Sequence, residues 1–90
     1  MKLLAYALAF VCMPTLAHSV VRAPPQCLGR HHGKVIVRHV TNIHAACPGN
    51  PYADACNYRF PHLCVIYLPR GASRALYQHE YAHCNCGQWH

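Results

Sequence analysis

The sequence predicts a minimal α+β domain, with two or three short strands packed against one helix and stapled by disulfides. Three observations predict it. Ninety residues allow one domain at most, with a thin core that usually needs staples. Seven cysteines are far above ordinary usage and fit a disulfide scaffold. Two β-rich runs are followed by one uninterrupted helix-forming run.

The chain is expected to open with an export signal, residues 1–17. Lys2 is the only charge before Arg22, residues 3–11 are apolar throughout, and Pro14 breaks the run. Thr15, Leu16 and Ala17 supply the residues a signal peptidase reads, so cleavage is expected after Ala17 or after Ser19. The competing reading is a retained membrane anchor, but the run is short for a span and is interrupted by Pro14 and His18. A lipoprotein at Cys12 would need small residues before it, where Phe10 and Val11 stand. Cys12 therefore leaves with the signal, and Cys27, Cys47, Cys56, Cys64, Cys84 and Cys86 remain to form up to three bridges. A secreted or periplasmic location follows, with no stable membrane span after cleavage.

Residues 18–33 read as a loose lead-in, because Pro24-Pro25 and His31-His32-Gly33 oppose regular structure. Residues 34–41 read as a strand, with Val35, Val37, His39 and Thr41 on one face and Ile36, Arg38 and Val40 on the other. Residues 47–62 read as loop, dense in turn residues from Cys47 to Pro51, with one helical turn available between Tyr52 and Tyr58. Residues 63–68 form a second, continuously apolar strand, ended by Pro69-Arg70-Gly71. Ser73 can cap a helix running from Arg74 through His83, and Gly87 can stop it.

That helix carries His79-Glu80-Tyr81-Ala82-His83, an H-E-x-x-H pattern. Residues four apart share a helical face, so both imidazoles can point at one metal ion. Glu80 stands beside them, within reach of a water on that ion, and can take its proton. Nine His and one Glu in the chain make a chance match about a one-in-a-hundred event. The bland alternative is two solvent-facing histidines and a surface charge. Zn2+ is the ion such a pattern takes. No acid follows Glu80, so the nearby candidates for a third ligand are His90, Cys84 and Cys86.

The tail His83-Cys84-Asn85-Cys86-Gly87-Gln88-Trp89-His90 resembles the metzincin extension H-E-x-x-H-x-x-G-x-x-H, with Gly87 and His90 each one residue later. It is also similar to small bacterial and phage zincin-like proteins in which H-E-I-G-H-C-N-G-W is followed by His. The resemblance covers residues 76–90 well and 63–68 loosely. It implies a minimal zincin-like domain over residues 34–90 and a metallopeptidase-type hydrolase acting on a peptide or protein substrate. His79 and His83 would then be ligands, Glu80 the general base, and His90 the candidate third ligand.

Cys84 and Cys86 are expected in disulfides to Cys27, Cys47, Cys56 or Cys64, since an oxidising compartment pairs cysteines. A bridge from Cys86 would pin the turn that returns His90. Thiolate ligation is the rival, and it would close the site to water. A Cys84–Cys86 ring is too tight. His31, His32, His39, His44 and His62 read as loop or surface residues, Tyr77 and Tyr81 as helix packing or oxyanion donors, and Trp89 as a cover over the metal site or helix end.

Eight Lys or Arg against two acids, with nine His, make the chain basic. Basic and aromatic residues form no interleaved stripe, which argues against a nucleic-acid partner. Two other readings compete with the hydrolase: a non-enzymatic secreted module with structural zinc, and a cationic His-rich membrane-active peptide. The small mature chain has little surface for a substrate cleft, which favours the first of these.

Overall fold

A computed structural model describes residues 20–90. The expected signal, residues 1–17, lies outside them. The described chain is a small α+β domain of three strands and two helices, closed by three disulfides. β1 is Lys34–Val40, α1 Ile43–Ala46, β2 Cys56–Phe60, β3 Leu63–Pro69 and α2 Arg74–Cys86.

The sheet has the order β1-β3-β2. β3 is the centre, parallel to β1 from Lys34↔Leu63 to Val40↔Pro69 and antiparallel to β2 from Cys56↔Tyr67 to Phe60↔Leu63. Side chains alternate across a strand, so Cys64, Ile66 and Leu68 point one way and are buried, Ile66 completely. They meet Val35, Leu76, Tyr77, Tyr81 and Cys84, which makes this the core between sheet and α2. The opposite face carries Tyr58 and Tyr67, edge to face at 5.8 Å, and the Tyr58 hydroxyl donates to the Ala46 carbonyl of α1 at 2.9 Å. Cover on both faces explains why β3 reads as continuously apolar.

Two elements differ from the sequence reading. β2 occupies the part of 47–62 read as loop, and it takes in Cys56–Tyr58, where a helical turn was available. Its tail is polar at alternate positions, Asn57 and Arg59, which disguises a strand. α1 is a short helix capped by the Asn42 side chain on the Ala45 amide at 3.1 Å.

α2 begins where Ser73 Oγ accepts from the Leu76 amide at 3.1 Å and runs three residues past His83. It ends at Gly87, whose φ of +68° and ψ of −131° suit glycine alone. Residues 20–33 are irregular apart from a 3-10 turn at Pro25–Cys27, yet they are packed. Ala23 and Cys27 bury against Ala82 of α2, with Leu28 and Trp89 beside them. α2 therefore lies between the sheet and this segment. Asn85 fastens the segment, donating to the carbonyls of Cys27 and Gly29 at 2.8 and 2.9 Å. The Tyr81 hydroxyl donates to Gly29 at 2.8 Å and accepts from the His31 amide at 2.9 Å.

The bridges are Cys27–Cys86, Cys47–Cys56 and Cys64–Cys84. Cys64–Cys84 ties α2 to the central strand. Cys47–Cys56 ties the end of α1 to β2. Three disulfides fit an oxidising, extracellular setting. No helix among the described residues is long and apolar enough to cross a membrane.

Candidate metal centre

Helical periodicity puts His79 and His83 one turn apart, with ring centroids 5.0 Å from each other. Gly87 then reverses the chain and delivers His90, whose ring lies 4.9 Å from His79 and 4.8 Å from His83. One ligand atom from each of the three histidines falls within 4.8 Å of the other two, so this group can hold a metal ion. α2 continues to Cys86 before Gly87 turns the chain.

The ring orientations are fixed from behind. His83 Nδ1 lies 2.6 Å from the Gly87 carbonyl, and His79 Nδ1 lies 2.9 Å from the Val21 carbonyl. A carbonyl oxygen only accepts, so each Nδ1 is the donor, and in the neutral ring Nε2 is the nitrogen left for a metal. His83 Nε2 and His90 Nε2 are 2.9 Å apart, a separation for two nitrogens that share one proton or converge on one ion. The pKa of exposed His90 is lowered, first by desolvation among its neighbours and then by repulsion from His83 and His79; Glu80 opposes the shift. A neutral imidazole is the form a metal takes.

Three imidazoles are a donor set that zinc accepts, and a zinc held by them alone would have a fourth position for water. Cys84 and Cys86 do not close that position, since both sulfurs are in disulfides. The Cys27–Cys86 bridge stands at the turn that returns His90.

Trp89 walls the cluster, with its ring 5.0 Å from His79 and 5.2 Å from His83. Its indole N–H is buried without a partner among the described residues. Glu80 is 6% exposed, and its Oε1 accepts from Asn57 Nδ2 at 2.8 Å. Glu80, His79, His83 and His90 line one cleft of about 490 Å³, closed on the sheet side by Asn57 and Arg59 of β2. The chain thus builds a cleft despite its size. Tyr77 and Tyr81 do not line it; they pack into the core. Burial, then the neighbouring Tyr81, raises the Tyr77 pKa. Asn85, one of the residues shared with the zincin-like tail, fastens the lead-in and does not face the cleft.

Three contributors were not legible in sequence. Val21 acts through its carbonyl, which any residue supplies. Asn57 and Arg59 sit on the strand read as loop. Their alternate spacing in a Cys-Asn-Tyr-Arg-Phe run was the available signal. No family model, curated protein or solved structure matches the chain.

Proposed function

We propose that the protein is an exported zinc-dependent hydrolase, of metallopeptidase type, with His79, His83 and His90 as ligands and Glu80 as general base. The observation that carries this reading is the convergence of three imidazoles, two with Nε2 freed by carbonyl partners, on the cleft that Glu80 lines.

When bound, zinc supplies a Lewis acid for the scissile carbonyl and for the attacking water. Glu80 takes the proton as that water adds to the carbonyl carbon. The C–N bond then breaks and Glu80 returns the proton to the departing amine, which balances the reaction. Asn57 holds Oε1, so Oε2 is the oxygen free to carry the proton. Trp89 and the buried flank of His83 keep bulk water from one side of the cluster.

The test is zinc content and peptide cleavage in the oxidised mature chain. The parent is expected to hold one zinc, and His83→Ala to lose it. Glu80→Gln is expected to keep zinc and lose cleavage by about 100- to 10,000-fold. A folded parent without zinc would sink the proposal, and so would full activity in Glu80→Gln.

A further inference from the structure

We propose that Arg59 makes this cleft select substrates with a carboxylate near the bond to be cut, either an acidic side chain or a free C-terminus. The proposal rests on the hydrolase reading above and adds its substrate class.

Arg59 is placed by register. It pairs with Cys64 in the sheet and so faces the α2 side, two residues along the same face of β2 from Asn57. Asn57 reaches Glu80, and Arg59 reaches the end of α2. Its Nη1 lies 2.8 Å from where a side chain on Gly87 would begin. The guanidinium therefore rests on the glycine whose carbonyl orients His83. That places a permanent cation at the rim of the metal cluster, in the cleft that holds Glu80.

Among the described residues no ion pair or hydrogen bond engages the Arg59 side chain. The chain has only two acids. Glu80 is held by Asn57, and Asp54 lines the cleft from the loop before β2 without pairing to Arg59. An exposed guanidinium with free donors offers a fork that fits a carboxylate with two parallel hydrogen bonds.

The surrounding field has the same sign. A second hollow of about 430 Å³ shares Arg59 and adds Arg30, His31 and His32, with no acidic residue in its lining. Clefts lined by one sign of charge concentrate ligands of the other. Within the candidate cleft Asp54 and Glu80 oppose this, so the selective contact belongs to Arg59.

The probe is four matched pools of fluorescent hexapeptides, carrying Glu or Gln and ending in a carboxylate or a carboxamide. Binding is read with zinc-loaded Glu80→Gln, and cleavage with the zinc-loaded parent. Carboxylate-bearing pools are expected to bind about tenfold tighter than the neutral pool and to be cut faster by a similar factor. Arg59→Gln is expected to erase the preference, Arg59→Lys to retain part of it, and Arg59→Glu to reverse it, each with zinc content unchanged. The Glu/Gln and acid/amide arms tell which carboxylate is read. Equal binding of all four pools, binding of none, or an unchanged preference in Arg59→Gln would overturn the proposal. A preference in binding without any cleavage by the parent would sink the hydrolase reading and keep only carboxylate binding at Arg59.

Discussion

Asn57 shows how much a single hydrogen bond can constrain the site. Glu80 is almost fully buried, so its carboxylate needs a partner in the protein. The Asn57 amide supplies one at 2.8 Å, to Oε1, in a residue that lines the cleft. Removing that donor leaves a buried acceptor unmatched, a loss of about 1.5–3 kcal/mol for a charged group. The carboxylate would then swing out of line with the water it would deprotonate in the proposed reaction. A misplacement of this kind costs up to about a hundredfold in rate. Asn57→Ala is therefore expected to keep one zinc and a similar KM while kcat falls by about tenfold to a hundredfold. The selective signature is spectroscopic: Glu80 is the only glutamate in the chain, so a carboxyl-labelled glutamate gives one resonance. That resonance should shift in Asn57→Ala and stay put in a control at the exposed Tyr52. An unmoved resonance would show that the amide does not position Glu80.

At the scale of elements, legibility followed periodicity. α2 was legible because Ser73, the His79/His83 spacing and Gly87 are local signals, each acting within a few residues. β1 and β3 were legible from β-branched and apolar runs. β2 was not, because its α2-facing positions are Asn57 and Arg59, polar where the cleft needs polarity. The segment before β1 was read from Pro and Gly alone, and these report the absence of regular structure rather than the absence of packing. What holds it is long-range: Cys27–Cys86 spans 59 residues, and Asn85 and Tyr81 grip carbonyls whose owners leave no trace in sequence. The segment has a consequence for the metal, since Val21 orients His79. Replacing Cys27 and Cys86 together by Ser should free it. The chain-entropy account puts the stability loss near 4 kcal/mol for a loop of that length. Without the Val21 carbonyl, zinc affinity should fall by about 10- to 100-fold, as for other lost partners behind a metal-bound histidine. Competition with a chelating dye measures it. Unchanged affinity in a folded double variant would mean that the lead-in does not orient the ligand.

For the molecule as a whole, the question is what an ion at the three histidines would do for the fold. The buried apolar set is small: Ile66, Leu68 and Cys64 are its largest fully buried side chains, and such a core needs staples. The three disulfides already join α2 to β3, α1 to β2 and the lead-in to α2, so every element except β1 is covalently tied. β1 is held by its full register on β3. The metal cluster, by contrast, joins only α2 to the four residues after it. An ion there organises a site more than it organises the chain. Free zinc at a hundredfold excess over its Kd stabilises by about 2.7 kcal/mol through mass action alone. In a chain of this size that raises Tm by about 10–20 °C. Chelation of the oxidised protein should therefore lower Tm by that amount while the far-ultraviolet circular dichroism at 25 °C stays native. Reduction of the disulfides should unfold the chain even with zinc present, because loops of 20 and 59 residues are released together. If chelation alone unfolds the oxidised chain at 25 °C, the ion is structural, and the catalytic role proposed for it fails.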